Sequence, residues 1–338
     1  MRLLDIRNLN IELLTSDSSI KAVESANFSM KMAEVSGLIG ESGSGKSLVA
    51  KALVGMLNNR WEVTADRLHF MGQDLNRMSE SKRRKVISDN ISMIYQEPRR
   101  CLDPTSNIFS QLEESLPDYE FSGWFGAKKE LRIKKCIRLL HKVGIKEHEK
   151  VFNSYPHMLS EGICQKIMIA MAIAKEPKLL IADEPTTSLE GDTSLKVIKL
   201  LKSLNQLKEM GVIFITHNLF SITSWADSIN VMYCGQLIES GLTKNIINAP
   251  KHPYTKALFD SEPDFKSRDI NNKQKLYALK GTIPTLQHLP IGCRLGPRCP
   301  NAQRACVKIP EQQKIKGQFF RCHYPLQQKP LQNNWKKA

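Results

Sequence analysis

The sequence predicts an α/β fold with a parallel sheet, and three features of the 338-residue chain lead to this prediction. The apolar strand VSGLIG runs directly into a glycine-rich turn and then into a helix. Two further apolar segments, KLLIADEP and GVIFITHN, flank a helical segment, and this strand–helix–strand order is typical of parallel sheets. The composition, 41% apolar and 25% charged, is that of a globular protein rather than a disordered one.

The pattern changes along the chain and predicts two domains. Strand signals and the glycine-rich turn dominate the first 90 residues, whereas the segment from about 97 to 175 has helical spacing and few strand signals. From about 240 onward, proline and glycine become frequent and imply a loop-rich extension with a thin core. We therefore predict a domain of residues 1–245, with a helical subdomain at about 97–175, and an extension of residues 246–338.

Charge and hydropathy limit the location and the partners of the protein. A formal charge of +15 favours nucleic acid or an anionic membrane surface, although solvated Lys and Arg side chains explain each basic cluster equally well. No segment approaches the ~18 consecutive apolar residues of a membrane-spanning helix. The N-terminal segment alternates apolar and polar residues like a strand and lacks the apolar block of a signal peptide. We therefore expect a cytosolic protein that can dock onto a membrane component.

The segment GESGSGKS matches the phosphate-binding pattern G-x-x-x-x-G-K followed by Ser or Thr, with the required strand before it and helix after it. Its glycines allow successive backbone N–H groups to face phosphate oxygens. Lys46 would contact the β- and γ-phosphates, and the Ser47 hydroxyl would bind Mg²⁺. A glycine-rich turn with a chance Lys-Ser is the alternative. The candidate phosphate-binding residues are Gly40, Glu41, Ser42, Gly43, Ser44, Gly45, Lys46 and Ser47.

Two carboxylates follow a later apolar strand and supply the second part of the predicted chemistry. LLIADEP ends in Asp183 and Glu184. Asp183 would bind Mg²⁺, directly or through water, and Glu184 would polarise the attacking water as general base. His217, in FITHN, is a candidate γ-phosphate contact, although a single histidine at a strand end more often has a structural role.

Taken with MIYQEP and LSEGICQK, these segments occur in the order found in ATP-binding subunits of ABC transporters, which the chain resembles over residues 40–218. The resemblance implies a RecA-like α/β core, an antiparallel β subdomain and an inserted helical subdomain. It implies that Gln96 senses Mg²⁺ and water and couples to membrane subunits. It also implies that two such subunits face each other, with Ser160 and Gly162 contacting the γ-phosphate of ATP bound by the partner.

The C-terminal part resembles a narrower group. HPYTKAL and PIGCRLGPRCP are similar to the extension of oligopeptide and dipeptide importer ATPases, and GCRLGPRC is most similar to the Sap-type, which is associated with resistance to antimicrobial peptides in Gram-negative bacteria. This resemblance implies ATP and Mg²⁺ as cofactors and a position on the cytoplasmic face of the bacterial inner membrane. The implied partners are a second ATPase subunit in a heterodimer, two transmembrane permease subunits and, indirectly, a periplasmic peptide-binding protein, with no nucleic acid.

Four of the eight cysteines cluster in this extension, at Cys293, Cys299, Cys306 and Cys322. Four thiolates can hold a 4Fe–4S cluster or a tetrahedral Zn²⁺ ion. Zinc is weakened by the absence of a C-x-x-C pair, and free thiols or a disulfide are further alternatives. Members of the peptide importer family that resemble this chain carry a 4Fe–4S cluster on these cysteines, and the resemblance therefore favours the cluster.

The chain departs from the family pattern at several positions. Glu161 replaces the first glycine of the signature turn, Ile163 replaces its last glutamine, and Glu190 stands where an aspartate is usual. No aromatic residue is clearly placed to stack on adenine. A carboxylate near a triphosphate is unfavourable by a few kcal/mol. We therefore expect an asymmetric pair of sites in which Glu161→Gly raises the turnover of the heterodimer, whereas unchanged or lower turnover would mean that the residue is neutral or adapted.

Two other functions fit parts of the sequence. A soluble ABC-type ATPase acting on nucleic acid would suit the basic charge, but the chain has one phosphate-binding loop, no long coiled-coil insertion and the extension typical of transport relatives. A regulatory subunit that binds ATP and barely hydrolyses it is opposed by the intact Glu184. The favoured hypothesis is an ATPase subunit that drives a bacterial peptide importer.

Overall fold

The computed structural model describes residues 2–16, 18–121, 124–187, 189, 191–262 and 279–327. Its strands are β1 Arg2–Leu14, β2 Ser19–Lys31, β3 Val35–Ile39, β4 Trp61–Thr64, β5 Arg67–Phe70, β6 Gln73–Asp74, β7 Ile91–Ile94, β8 Leu179–Asp183, β9 Gly211–Ile215, β10 Ser228–Tyr233, β11 Gln236–Leu242, β12 Gln313–Ile315 and β13 Gln318–Phe320. Its α-helices are α1 Lys46–Leu53, α2 Glu80–Asn90, α3 Pro98–Cys101, α4 Ile108–Glu114, α5 Phe125–Lys142, α6 His148–Phe152, α7 Glu161–Ala172, α8 Gly191–Lys208, α9 Leu219–Thr223, α10 Thr243–Asn248 and α11 Pro253–Ser261. The predicted departure at Glu190 lies outside the described residues.

The chain divides into two compact units. The first contains residues 1–77 and 214–338, and the second contains residues 78–213. The extension thus belongs to the same unit as the N-terminal strands, whereas the predicted boundary at residue 245 stays a prediction. In the part of the chain that has been described, no helix combines the length and the apolar character needed to cross a membrane.

An antiparallel sheet forms one layer of the first unit. Its strands follow the order β2-β1-β5-β6, and β4 pairs with β1. Apolar side chains recur along these strands, and Leu4 and Ile6 of β1 and Val23 of β2 are fully or almost fully buried. This sheet is the antiparallel β subdomain that the resemblance implied, and the mixed α/β prediction for the fold class is confirmed.

The phosphate-binding segment begins from a second sheet of the same unit. Strand β3 is buried along its whole length and pairs in parallel with β10, which pairs antiparallel with β11. The short hairpin of β12 and β13 then joins β11 through β13. Phe320 of β13 is almost fully buried, so the described end of the extension is part of this sheet and its core.

The HPYT segment starts helix α11 and is fixed by buried polar contacts. The Nδ1 atom of His252 accepts a hydrogen bond from the Tyr254 N–H at 3.1 Å, which caps the helix, and Pro253 occupies the first turn. The Glu239 carboxylate accepts from the backbone N–H groups of Lys251 and His252 at 2.6 and 2.9 Å. The segment is therefore held in one conformation by partners on β11.

Burial lowers the pKa of His252 to about 3, and this predicts an acid-sensitive fold. Below the ordinary pKa of about 6.5, the unfolded chain binds a proton at this imidazole that the folded chain excludes. Stability should therefore fall by about 1.4 kcal/mol per pH unit as the pH drops from about 6.5 towards 3. The variant His252→Asn keeps a side-chain acceptor for the cap and cannot titrate there, so its unfolding midpoint should depend less steeply on pH in this window.

Urea unfolding of both proteins at several pH values measures the difference between the two slopes. Glu239, whose pKa burial raises, is present in both proteins, so its opposite contribution largely cancels in the comparison. Equal slopes for the two proteins would contradict a buried neutral His252.

The second unit combines a parallel strand pair with helices. Strands β7 and β8 pair in parallel from Ile91↔Leu179 to Ile94↔Ala182, and β8 is buried throughout. Helices α3 to α7 follow β7 along the chain, within the segment for which helical spacing predicts a subdomain. Helix α7 buries Cys164, Ile167 and Ile169, so its apolar run forms core rather than surface.

Candidate functional site

The predicted phosphate-binding loop connects β3 to α1 in the first unit. Lys46 is the first residue of α1, and its side chain is buried within the loop. Its Nζ donates to the carbonyl oxygens of Gly40 and Glu41 at 2.8 and 2.9 Å and lies 3.4 Å from the Ser44 Oγ. An ammonium group thus lies inside the loop, where a phosphate could replace its present acceptors.

Positive φ angles at the three glycines of the motif, Gly40, Gly43 and Gly45, shape this loop. Gly45, the residue before α1, has φ 102°, a region that side chains disfavour. A Cβ atom on Gly40, where φ is 153°, would lie 2.1 Å from the Met232 carbonyl oxygen. Ser42 and Gly43 are exposed at the tip, and Ser47 is half-buried on α1. The glycines of the motif therefore stand where the backbone conformation or a close contact disfavours a side chain.

His217 follows strand β9 in the first unit. It is exposed, whereas the preceding Thr216 is buried and accepts at its Oγ1 a hydrogen bond from the Asn218 N–H at 3.0 Å. Asn218 then caps α9 by accepting from the Ser221 N–H. Neighbouring hydrogen bonds thus fix the backbone around His217, and its predicted contact with a γ-phosphate stays a prediction.

The second unit contains the predicted carboxylates and Gln96. Asp183 is buried at the end of β8, and Glu184 follows with φ 47°, a left-handed conformation that costs energy for a non-glycine residue. The Gln96 Nε2 donates to the Glu184 Oε2 at 3.1 Å, and the Thr187 Oγ1 donates to the same oxygen at 2.9 Å. Two neutral donors therefore orient the carboxylate, and sequence reasoning identified Gln96 but not Thr187.

The signature turn lies at the start of α7. Ser160 is the N-cap residue and is exposed, and Gly162 lies in the first turn of the helix. Backbone N–H groups of Ile163 and Cys164 both donate to the Ser160 carbonyl at 3.0 Å. The turn is therefore intact although Glu161 occupies the position of a glycine.

Arg99 forms an ion pair with the unusual glutamate of this turn. The Arg99 Nε lies 3.1 Å from the Glu161 Oε2, and an Nη atom of the same guanidinium donates to the Leu159 carbonyl. Glu161 is also in the first helical turn, where the helix dipole favours an acid. The Arg99 cation and the helix dipole therefore offset the negative charge of Glu161. This reduces the repulsion between Glu161 and a triphosphate that the sequence predicts. The increased turnover of Glu161→Gly stays a prediction.

We predict that removing the Arg99 charge alone lowers activity more than removing both charges of the Arg99–Glu161 pair. Arg99→Met leaves the Glu161 carboxylate without its cation, and should lower the ATP turnover of the assembled transporter about fivefold, which corresponds to roughly 1 kcal/mol for a partly exposed pair. Adding Glu161→Gln should restore most of this loss. Arg84→Met, which breaks an exposed ion pair on α2, is the matched control. A loss that persists in the double variant would contradict this prediction.

An open cleft of about 350 Å³ lies beside this ion pair in the second unit. Its lining residues are Gln96, Glu97, Arg99, Arg100, Glu161 and Thr187. The Gln96 amide and the Arg99–Glu161 pair lie at the surface of this cleft. Gln96 and the signature turn, which are far apart in sequence, thus line one cavity.

The four cysteines of the extension lie near one another but do not form a ready metal site. Cys293, Cys299 and Cys306 are half-buried and Cys322 is buried. Burial, with a smaller effect of the other three thiols, raises the pKa of Cys322 to about 11. Among the described residues, no group of three or more metal-binding side chains is arranged to hold an ion. The all-thiol donor set suits a cluster or zinc chemically, although the described thiols are not gathered around one point.

Two residues of the extension contact the phosphate-binding loop, a role that the sequence did not reveal. The Tyr254 hydroxyl accepts from the Glu41 N–H at 2.8 Å, and the Arg298 Nη1 lies 3.0 Å from the Glu41 Oε2. Both residues belong to the segments that resemble the importer extension, HPYTKAL and PIGCRLGPRCP. The available signal was an acid at a variable position of a loop that is predicted to bind phosphate.

Two family models match separate parts of the chain. Residues 23–187 match a family model described as ABC transporter, and residues 238–306 match one described as oligopeptide/dipeptide transporter, C-terminal region. A dimeric ATP-binding cassette in a post-hydrolysis state, bound to ADP and phosphate, is 24% identical with a TM-score of 0.62. The match covers 71% of this chain and 98% of that one, and it supports the fold.

Two relatives match over most of their length. The peptide transport system ATP-binding protein SapD of Haemophilus influenzae is 49% identical over 330 residues, which cover 96% of this chain and 93% of the relative. The dipeptide transport ATP-binding protein DppD of Escherichia coli is 39% identical over 328 residues, which cover 96% and 98%. The chain therefore belongs to the ABC transporter family, among the ATP-binding proteins that contain the oligopeptide/dipeptide transporter C-terminal region.

Proposed function

We propose that the chain hydrolyses Mg²⁺-bound ATP to drive a bacterial ABC importer of peptides. The observation that carries the proposal is the buried Lys46 ammonium group at the centre of a glycine-shaped loop between β3 and α1. Relatives named as peptide and dipeptide transport ATP-binding proteins support the coupling to peptide transport. The resemblance to the Sap-type extends the proposal to antimicrobial peptides as substrates.

Each predicted site residue has a role in this proposal. Backbone N–H groups of the loop and Lys46 would bind the phosphates, Ser47 and Asp183 would hold Mg²⁺, and Gln96 would contact the metal and the water. Glu184 would accept the proton of the attacking water, and His217 would contact the γ-phosphate. Binding favours a closed state, and hydrolysis with phosphate release reopens it.

The proposed partners follow from the resemblance to ATP-binding subunits of ABC transporters, which implies that two subunits face each other. Ser160 and Gly162 would face the ATP of a second, different ATPase subunit, and the cleft beside Gln96 would be near the contact with two transmembrane permease subunits. We therefore place the chain on the cytoplasmic face of the bacterial inner membrane, with a periplasmic peptide-binding protein as an indirect partner.

Purification from detergent-solubilised membranes tests the proposed function. We expect two integral membrane proteins and a second ATPase subunit to copurify with the tagged chain, and ATPase activity to respond to peptide and the periplasmic binding protein. Lys46→Ala should lose nucleotide binding while it still copurifies with the membrane proteins. Copurification with nucleic acid or ribosomes, without membrane proteins, would instead support an ATPase acting on nucleic acid.

The four clustered cysteines are candidate ligands of a metal centre in the extension. We propose that Cys293, Cys299, Cys306 and Cys322 hold a 4Fe–4S cluster, with zinc as the alternative, after the thiols approach one another and lose their protons. Their proximity and the all-thiol donor set support this. Anaerobic purification should give a brown protein with iron and sulfide, whereas a colourless protein with stoichiometric zinc would assign zinc, and a metal-free protein would contradict both assignments.

A further inference from the structure

The phosphate-binding loop contains a carboxylate close to where a triphosphate would bind. Glu41 directly follows Gly40 in the loop, and its side chain is 28% exposed. At an effective dielectric constant of about 20, a negative charge a few ångström from a phosphate is repelled by several kcal/mol. An acid at this position therefore requires a compensating cation if the loop is to bind ATP well.

Arg298 supplies that cation from the extension. Its Nη1 lies 3.0 Å from the Glu41 Oε2 and its Nη2 lies 3.5 Å from the Glu41 Oε1, so the guanidinium spans both oxygens. Only 8% of the Arg298 side chain is exposed. The same Nη1 lies 3.2 Å from the Tyr233 hydroxyl oxygen, and the guanidinium carbon lies 5.8 Å from the Tyr233 ring centre. A buried, forked pair of this kind is stronger than a surface ion pair.

Tyr254 holds the backbone of the same loop residue. Its buried hydroxyl accepts from the Glu41 N–H at 2.8 Å, and its ring centre lies 4.6 Å from that of Tyr233. Burial raises the pKa of Tyr254 well above its usual range, so the hydroxyl stays neutral at physiological pH. Both the main chain and the side chain of Glu41 are therefore fixed by residues that lie after residue 250.

The segment that carries Arg298 is itself anchored on the first unit. Arg294 pairs with Glu24 and donates to the Cys234 carbonyl, and only 7% of its side chain is exposed. The Arg298 Nε donates to the Lys280 carbonyl at 3.3 Å. These contacts hold the guanidinium of Arg298 in place before any nucleotide binds, so little side-chain entropy is lost when the loop closes on phosphate.

We propose that Arg298 and Tyr254 are positioning residues for ATP binding, and that Arg298 neutralises Glu41 so that the loop accepts a triphosphate. The proposal rests on the proposed ATP site at Lys46. It makes the extension part of the nucleotide site rather than a separate appendage. Because the Arg298–Glu41 pair is coupled to ATP binding, a conformational change of residues 294–298 that moves Arg298 away from Glu41 would weaken ATP binding.

The affinity of the full-length chain for a non-hydrolysable Mg²⁺–ATP analogue tests this role. Arg298→Met should raise the Kd about tenfold or more, because the Glu41 carboxylate then faces the phosphates alone. Adding Glu41→Gln to Arg298→Met should return the Kd to within about threefold of the wild type, because no charge is left to repel. Arg298→Lys keeps a charge without the fork and should fall between the wild type and the methionine variant.

Two comparisons separate this role from a loss of folding. Arg304→Met, on an exposed residue of the same extension, should leave the Kd and the melting temperature unchanged. If Arg298→Met does not fold, the lysine variant and the Glu41→Gln/Arg298→Met double variant still decide the question. Wild-type affinity in Arg298→Met, affinity in Arg298→Lys as low as that of a folded Arg298→Met, or a loss that persists in the double variant would overturn the proposal.

The Lys46→Ala variant distinguishes failure of the proposed ATP site from failure of the role proposed for Arg298. If Lys46→Ala binds the analogue as tightly as the wild type, the proposed function fails and the role of Arg298 fails with it. If Lys46→Ala abolishes binding while Arg298→Met has no effect, only the role of Arg298 is wrong. Tyr254→Phe, which removes the acceptor for the Glu41 N–H, should raise the Kd by a smaller factor than Arg298→Met because it leaves the charge pair in place.

Discussion

Glu184→Gln is expected to lower the rate of ATP hydrolysis by about 10²- to 10⁴-fold, the range that a general base contributes. The glutamine has nearly the same shape but cannot accept the proton of the attacking water. The Gln96 and Thr187 donors that orient the Glu184 Oε2 can still reach a carbonyl oxygen at that position. Steady-state phosphate release and the Kd for ATP, measured on the same preparation, separate hydrolysis from binding.

Binding of ATP should survive this substitution. Removing a charge near the phosphates lowers repulsion, so the Kd should be equal to or lower than that of the wild type. Glu149→Gln, at an exposed position on α6, is the matched control and should hydrolyse ATP normally. If Glu184→Gln retained more than about a tenth of wild-type turnover, its assignment as general base would be wrong.

The adjacent acids Asp183 and Glu184 follow the same strand end and are predicted to have different roles. Asp183 is buried at the end of β8, whereas Glu184 turns away in a left-handed conformation and meets neutral donors. Two adjacent acids are therefore given different surroundings by the change of backbone direction after the strand. We expect the first to hold Mg²⁺ and the second to act as the general base.

The features that local sequence determines were predicted well. The strand–turn–helix around Gly40 and Lys46 depends on residues within one short segment, where strand burial, glycine conformation and helix start all agree. The same holds for the buried strand before Asp183 and for the helical segment that contains α3 to α7. Fold class and the elements that carry the candidate residues were therefore accessible from pattern alone.

The ion pairs of Glu41 and Glu161 could not be predicted from the sequence pattern. Arg298 and Glu41 are separated by 257 residues, and Arg99 and Glu161 lie on different helices. Neither pairing follows from periodicity, because a long-range contact depends on how separate elements pack. The sequence predicts that the Glu161 carboxylate repels a triphosphate, and the structure places the Arg99 cation beside it.

Cysteine spacing predicted a ligand set but not its geometry. In the described part of the chain, no set of three or more metal-binding side chains is arranged around a common point. Spacing gives the residue types and their order, whereas the distances between the thiols depend on how the backbone of the extension folds. Spacing therefore identifies candidate donors but not their arrangement.

Lys46→Ala is expected to weaken ATP binding by at least about tenfold, since charge-assisted hydrogen bonds to phosphate contribute roughly 1.5–3 kcal/mol. The ammonium group now donates to the carbonyl oxygens of Gly40 and Glu41, so the loop is already shaped around it. Removing it takes this donor from both carbonyl oxygens. The substitution therefore removes from the loop an attraction for the phosphates.

Titration with a fluorescent ATP analogue measures the loss, and urea unfolding checks that the variant is folded. Lys51→Ala, on the exposed side of the same helix, is the matched control because it removes an equal charge away from the loop. Its Kd should stay within about twofold of the wild type, because an exposed charge is screened by solvent and salt. Equal losses in the two variants would mean that only the net charge of α1 matters, and the specific role of Lys46 at the phosphates would be wrong.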